Sequence, residues 1–477
     1  MLFNSFAFLI FFPIVTIGYY LLPYKQRWWW LLAASCWFYM AFVPVYILIL
    51  GFTIAVDYVA GILIDRSEGR KRKWWLVASI VANVGVLAFF KYFNFLNQSI
   101  ATVVRGAGLP YDVPDLGILL PIGLSFHTFQ SLSYTIEVYR KHQPPERKLG
   151  VFALYVMFYP QLVAGPIERP GNLLKQLGMR FDPDYDKIAH GLRQMAWGFF
   201  KKLVIADRCA AIVDMVYANP SQHDGWSALV ATYLFALQIY CDFSGYTDIA
   251  IGAARCMGFE LMVNFRTPFM SGSISEFWSR WHISLSSWFR DYLYIPLGGN
   301  KVPVPRWYFN LFIVFLISGL WHGANWTYVL WGALHGVYLI AAIVFKPMWT
   351  KLFGSVKARW YRWVNVIVTF HLVFVGWVLF RAESIGHVKL IFSKWLGIND
   401  AGRSLGNLIN EVKPGVFVIT IAMALLFFVI DPWVDKWIKR EVKLPSKRFD
   451  YAFQAALVVA CLLFGFYGKT MFIYFQF

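Results

Sequence analysis

Two of the nine histidines in this 477-residue chain sit where an imidazole could move a proton. His322 lies in Ser318-Gly-Leu-Trp-His-Gly-Ala-Asn-Trp326, a polar turn that interrupts the apolar run 308–345. Counted as a helix from Tyr308 to Trp321, the preceding stretch rises about 21 Å, short of the ~30 Å hydrocarbon layer of a bilayer. His322 is therefore expected at membrane depth, where a polar turn is tolerated only if protein or a water-filled cavity surrounds it and an ionisable group marks function by default. General acid–base work is the chemistry such a group offers. The bland alternative is a helix-breaking turn packed by Trp321 and Trp326.

His282 lies in the most informative amphipathic stretch, Phe277 to Tyr292. At 100° per residue Phe277, Trp281, Leu285, Trp288, Phe289 and Tyr292 share one arc, opposite Glu276, Arg280, Ser284, Ser287 and Asp291, with Ile283 the exception. Ser273-Ile-Ser-Glu276 has capping-box spacing, and Pro296 with Gly298-Gly299 closes the stretch, so one helix is expected. His282 falls at the edge of the apolar arc, which also suits an interfacial histidine whose polar tip reaches water.

Other polar residues carry weaker signals. His335 reads as polar packing. The carboxylates of Asp242-Phe-Ser-Gly-Tyr-Thr-Asp248 lie about 240° apart around a helix and do not converge on a metal, so a cap or a cavity-lining turn is expected. His127, Gln130, Ser131 and Ser133 put a polar surface into the apolar segment 116–134. Lys201, Lys202 and Arg208 could meet phosphates, but such a run is more often a solvated face. Phosphate-binding loops, dinucleotide fingerprints, nucleophile elbows and zinc-binding H-E-x-x-H spacing do not occur. Nor do the five cysteines form a C-x-x-C pair, and they read as buried thiols.

The elements that position these groups must be membrane helices. Apolar residues make up 59% of the chain and charged ones 15%, against roughly 45–50% and about 25% in soluble proteins, and mean hydropathy is +0.53. The formal charge of +18 fits basic cytoplasmic loops rather than nucleic-acid binding. Basic stretches near 25–27, 66–73, 140–148, 301–306, 346–362 and 436–448 alternate with about 11 apolar passes, of which the broken 308–345 segment enters and leaves on the cytoplasmic side, and they place both termini outside. The segment Leu2 to Leu22 lacks a basic n-region and a cleavage site, so it is expected to be retained as the first helix. There is no internal repeat of the kind found in many secondary transporters.

The chain resembles a membrane-bound O-acyltransferase (MBOAT) of the bacterial branch that includes alginate O-acetylase membrane subunits. The resemblance runs through Leu120-Pro-Ile-Gly-Leu-Ser-Phe126, Ala164-Gly-Pro-Ile-Glu168, Phe200-Lys-Lys-Leu203, Asp242-Phe-Ser-Gly-Tyr-Thr-Asp-Ile-Ala-Ile-Gly252, Ser275-Glu-Phe-Trp-Ser-Arg-Trp-His-Ile-Ser-Leu-Ser286, Arg290-Asp-Tyr-Leu-Tyr294, Leu297-Gly-Gly-Asn300 and Gly319-Leu-Trp-His-Gly-Ala-Asn325. It implies an all-α polytopic membrane protein, an MBOAT-type bundle of about 11 transmembrane helices plus re-entrant and interfacial helices around a central tunnel. One membrane domain is expected over 1–477, with N-terminal helices to 116, a catalytic core at 117–345 and C-terminal helices with an aromatic tail at 346–477.

The resemblance further implies that His322 is the essential histidine and His282 a second active-site group. Asp242, Ser244, Tyr246, Asp248, Arg280, Trp281, Trp321 and Asn325 become candidates to line the tunnel or bind substrate. It implies no resident cofactor, acetyl-CoA as the donor substrate and a bacterial inner-membrane location. An extracytoplasmic SGNH-type transferase is the implied partner. His322 would act as general base, while His282 would orient it or polarise the acyl carbonyl. D-alanyl transfer to teichoic acid from an acyl carrier protein, O-acetylation of peptidoglycan or cellulose, and a lipid-linked saccharide flippase or polymer export channel are the competing functions.

The tail Met471-Phe-Ile-Tyr-Phe-Gln-Phe477 either joins the interfacial aromatic belt or folds back into the protein. In the second case Tyr474, its only hydroxyl, could carry the acyl group as a phenyl ester, because a phenolate leaves more readily than an alkoxide.

Overall fold

The computed structural model describes the chain apart from residues 118–119, 164, 354–358, 398–404, 439–445, 468–471 and 474–477. Among the described residues every regular element is helical, in keeping with the all-α membrane architecture expected of the sequence. Among the described residues seven helices are long and apolar enough to cross a bilayer: Pro44–Arg66, Gly69–Gly106, Gly225–Cys256, Val304–His322, Trp326–Leu352, Trp360–Arg381 and Pro414–Ile438. A shorter apolar helix, Phe6–Leu21, precedes them.

Two expected passes take a different form. The apolar segment 150–165 is not one helix but two, Leu149–Met157 and Tyr159–Leu162. The break falls where Pro160 enters the first turn of the second helix and Ser35 Oγ takes the Tyr159 N–H at 3.0 Å. The helix leading to His322 begins at Val304 rather than Tyr308, with Pro305 in its first turn. Its 19 residues rise roughly 28 Å, so the short-helix argument for placing His322 at depth falls away and the burial of that residue has another cause.

The chain divides into two compact units, residues 1–195 with 247–262, and residues 196–246 with 263–477. In the first, the helix Leu124–Tyr139 packs against Ile47–Arg66 and Gly69–Leu87 with nearly every side chain buried. The polar surface expected there is a packed network: Ser79 Oγ donates to Asp57 Oδ1 at 2.7 Å and to Thr135 Oγ1 at 3.1 Å, Asn83 Nδ2 donates to Asp57 Oδ1 at 2.8 Å, and Gln130 Nε2 donates to the Tyr155 carbonyl. Glu168 is fully buried there and accepts from Asn172 Nδ2 at 2.7 Å and from the Met262 N–H.

In the second unit, Val304–His322 and Trp326–Phe353 form a hairpin whose backbones nearly touch. A Cβ on Gly319 would stand 2.3 Å from the Tyr328 carbonyl oxygen, and one on Gly332 would stand 2.3 Å from that of Phe315. Only glycine permits this approach, which fixes the hairpin tip that carries His322.

Candidate active site

His322 is the last residue of its helix and is 4% exposed. Its ring centroid lies 5.0 Å from those of Trp321 and Trp331 and 5.3 Å from that of Phe380, so burial comes from a cage of aromatic rings. Asn325 terminates the turn. Its Oδ1 accepts the Thr327 N–H at 3.0 Å and its Nδ2 donates to the Glu383 carbonyl at 2.8 Å, capping the next helix and tying it to the chain after Arg381.

His282 does not lie on a continuous helix. The expected single helix is broken into Ile274–Arg280 and Ile283–Phe289, with His282 between them in the left-handed region at φ 45°, ψ 54°. The cap forms, Ser273 Oγ accepting the Glu276 N–H at 3.1 Å, but the Glu276 carboxylate accepts the Gly272 N–H at 2.7 Å in place of that of Ser273. The break has a cause 18 residues upstream, in Asn264, which sequence reasoning missed. Its carbonyl accepts the Ile283 N–H at 2.9 Å, and its Oδ1 accepts from Ser284 N–H at 3.2 Å and Ser284 Oγ at 3.0 Å. The same Oδ1 lies 3.1 Å from His282 Nδ1. An oxygen that already accepts a backbone N–H cannot donate, so His282 Nδ1 carries the proton and Nε2 holds the lone pair. Burial pushes this imidazole down to about 3, so it is neutral through the physiological range. A neutral ring in this tautomer accepts at Nε2.

Both histidine rings neighbour one indole. Ring centroids of His282 and Trp321 are 6.2 Å apart, and those of Trp321 and His322 are 5.0 Å apart. A cavity of about 400 Å³ opens between the elements that carry them, lined by Ser279, Ile283, Ser286 and Arg290 on one side and by Val314 and Ser318 on the other. Trp281 is 1% exposed and packs between Phe265 and Trp377 at 5.1 and 5.0 Å. Arg280 pairs with Glu276 at 2.6 Å. His335 is fully buried among Trp278 and Trp331, the packing role expected of it.

The lysines overturn their expected reading as a solvated face. Lys201 is 3% and Lys202 1% exposed. Lys202 Nζ lies 2.8 Å from Asp207 Oδ1 and 2.7 Å from Asp242 Oδ1, and Lys201 Nζ donates to Ser244 Oγ at 2.9 Å. Two features turn them inward. A widened helical turn spans Phe200–Ala206, and Gly245 lets its helix close until a Cβ there would be 2.8 Å from the Gly198 carbonyl oxygen. A buried ammonium needs such partners. Asp242, Ser244 and Tyr246 thus belong to one buried cluster of this unit, whereas Asp248 accepts from Gln194 Nε2 at 2.9 Å in the other unit.

Phe472 and Ile473 are 1% and 2% exposed, so this part of the tail folds into the protein rather than joining an interfacial belt. Phe472 stacks near Tyr246, with centroids 4.4 Å apart. Tyr474 lies outside the described residues.

Residues 148–382, which include both histidines, match the model of the membrane-bound O-acyltransferase family. The chain is 42% identical over 391 residues to the Probable alginate O-acetylase AlgI of Pseudomonas aeruginosa, covering 81% of this chain and 73% of that one. The chain belongs to the membrane-bound O-acyltransferase family. It is also 31% identical to the Peptidoglycan O-acetyltransferase of Helicobacter pylori (89% and 86% covered) and 28% identical to the Teichoic acid D-alanyltransferase of Bacillus subtilis (57% and 72% covered). As a member of this family it is an acyltransferase, embedded by multiple apolar helices in a bacterial membrane.

An acyltransferase site that uses both imidazoles makes a prediction at His282. Truncating His282→Ala should lower transfer less than loss of His322, and Asn264→Ala, which frees the ring from its tautomer, should lower it in the same direction. Where Asn264 acts on transfer through the His282 ring, the double variant should be no slower than His282→Ala alone, measured as kcat in detergent at equal folded protein. Additive losses would assign Asn264 to packing only.

Proposed function

We propose that the protein moves an acetyl group from cytoplasmic acetyl-CoA through the histidine site, for O-acetylation of an extracytoplasmic polysaccharide of the alginate type. The observation that carries this reading is the pair of buried imidazoles that both neighbour Trp321, together with a cavity lined by Ile283, next to His282, and by Val314 and Ser318 of the helix that ends at His322. The names of its relatives support acetyl as the group and a polymer as the destination.

In this mechanism an acceptor hydroxyl attacks the thioester carbonyl. His322 takes the hydroxyl proton as the C–O bond forms, the C–S bond breaks and the proton passes to the departing thiolate. His282 orients the hydroxyl through the Nε2 lone pair. Tyr474 is the first acceptor, and a serine of an extracytoplasmic SGNH-type partner takes the acetyl from its phenyl ester. Aromatic walls exclude water, which would otherwise hydrolyse the ester.

Ester analysis of the extracellular polysaccharide from cells with and without the protein tests this reading. Acetyl esters present only with the protein are expected. D-alanyl esters without acetyl would overturn the donor assignment.

The same reading places the basic loops on the side of acetyl-CoA. A single cysteine at position 70 should react with impermeant maleimide only when the reagent reaches the cytoplasmic face, and a cysteine near the N-terminus only from outside. Labelling of position 70 in intact cells would invert the map.

A further inference from the structure

The C-terminal tail is tied to the core at several places. The Phe466 N–H donates to the Leu203 carbonyl at 2.9 Å, and Arg208 Nε donates to the Phe464 carbonyl. Further on, the Ile473 N–H donates to Asp242 Oδ2 at 2.8 Å, across 231 residues of sequence. The other oxygen of that carboxylate, Oδ1, is occupied by Lys202 at 2.7 Å, and Lys202 is itself held by Asp207. Beside this contact Phe472 lies 4.4 Å from the Tyr246 ring and 6.0 Å from that of Phe243, and Phe243 meets the His282 ring edge-on at 4.7 Å. Phe243 is therefore a ring shared by the tail and His282. A chain end is ordinarily frayed, and burial of two consecutive tail residues on a buried carboxylate needs a reason.

We propose that Asp242 is a positioning residue that seats the C-terminal tail against the wall of the histidine site, with Lys202 holding the carboxylate so that Oδ2 faces the tail. Asp242 influences acyl transfer through the tail, without touching the acyl group. The two-oxygen division makes the carboxylate specific. An asparagine must present its NH2 either to the Lys202 ammonium or to the Ile473 N–H, and either way donor meets donor. The proposal rests on the acyltransferase reading but not on Tyr474 as carrier.

Hydrogen exchange read by mass spectrometry on the full-length protein in lipid nanodiscs tests the seating, with thiol release from acetyl-CoA as the activity. In Asp242→Asn the peptide containing Ile473 should exchange about tenfold faster or more, as expected for loss of a charge-assisted hydrogen bond, while the helix Gly225–Cys256 keeps its protection. The kcat should fall about tenfold with KM for acetyl-CoA unchanged, and Asp242→Glu should recover part of both. Phe472→Ala, which leaves the ion cluster whole, should release the tail and lower kcat in the same way, and it serves if Asp242→Asn does not fold. Unchanged tail exchange in Asp242→Asn, or a released tail with full kcat in either variant, would overturn the proposal. Full activity of Tyr474→Phe removes the carrier reading alone, because seating is read from exchange and not from that hydroxyl.

Discussion

A His322→Gln protein is expected to reach the membrane at the wild-type level and to transfer acetyl at least ~10²-fold more slowly, the loss typical of a missing general base. The side chain stands at the end of a helix whose position is set by glycine contacts at Gly319 and Gly332, not by the imidazole, so the hairpin should survive the change. Glutamine keeps polarity and approximate size but has no lone-pair nitrogen to take the hydroxyl proton. The expected loss corresponds to about 2.7 kcal/mol of transition-state stabilisation. Thiol release from acetyl-CoA at equal amounts of folded protein gives the measurement. Near-native release would remove His322 from the chemistry.

Tyr474→Phe is expected to abolish acetylation of the polysaccharide, because phenylalanine keeps the ring and lacks the hydroxyl that would accept the acetyl group. Among the described residues the tail is seated by Phe472 in the ring cluster and by the Ile473 amide on Asp242, both of which the substitution leaves in place. Loss of the hydroxyl removes the nucleophile that would form the phenyl ester. With the partner transferase inactivated, mass spectrometry of the C-terminal peptide should show one acetyl on Tyr474 in the parent and none in the phenylalanine variant. Full polymer acetylation by Tyr474→Phe would exclude the carrier role.

Much of the architecture was legible in the sequence because it follows from local pattern. Apolar length and basic flanks located the helices, and Ser273 to Glu276 foretold a cap that the structure contains. The Gly319 to Asn325 motif pointed to a turn, and Gly319 has a packing reason in the near contact of two backbones, while Gly323 packs against the Tyr328 ring. What escaped was set by residues distant in sequence. Periodicity alone drew one helix through His282, yet the Asn264 side chain and carbonyl capture the N–H groups of Ile283 and Ser284 and force the left-handed break. Lys201 and Lys202 looked like solvated charges because their partners, Asp207, Asp242 and Ser244, meet them only after the turn over Phe200–Ala206 and the close approach at Gly245. The basic stretch 301–306 stands apart from the apolar run in the sequence, yet Pro303 is the N-cap and Pro305 suits the first turn of the helix, which therefore starts four residues earlier than expected. The tail carried a signal in its aromatic composition, but nothing local revealed that Asp242 receives it.

The most direct test of the central claim uses purified protein in sealed proteoliposomes, with acetyl-CoA labelled in the acetyl group supplied on one side only. The account predicts that covalently bound acetyl appears on the protein when acetyl-CoA meets the face bearing the basic loops, that an equal amount of free thiol is released on that side, and that both signals vanish with His322→Gln. Passage of label without thiol release, or equal labelling by the His322→Gln protein, would contradict a histidine-driven acyl transfer and favour a channel.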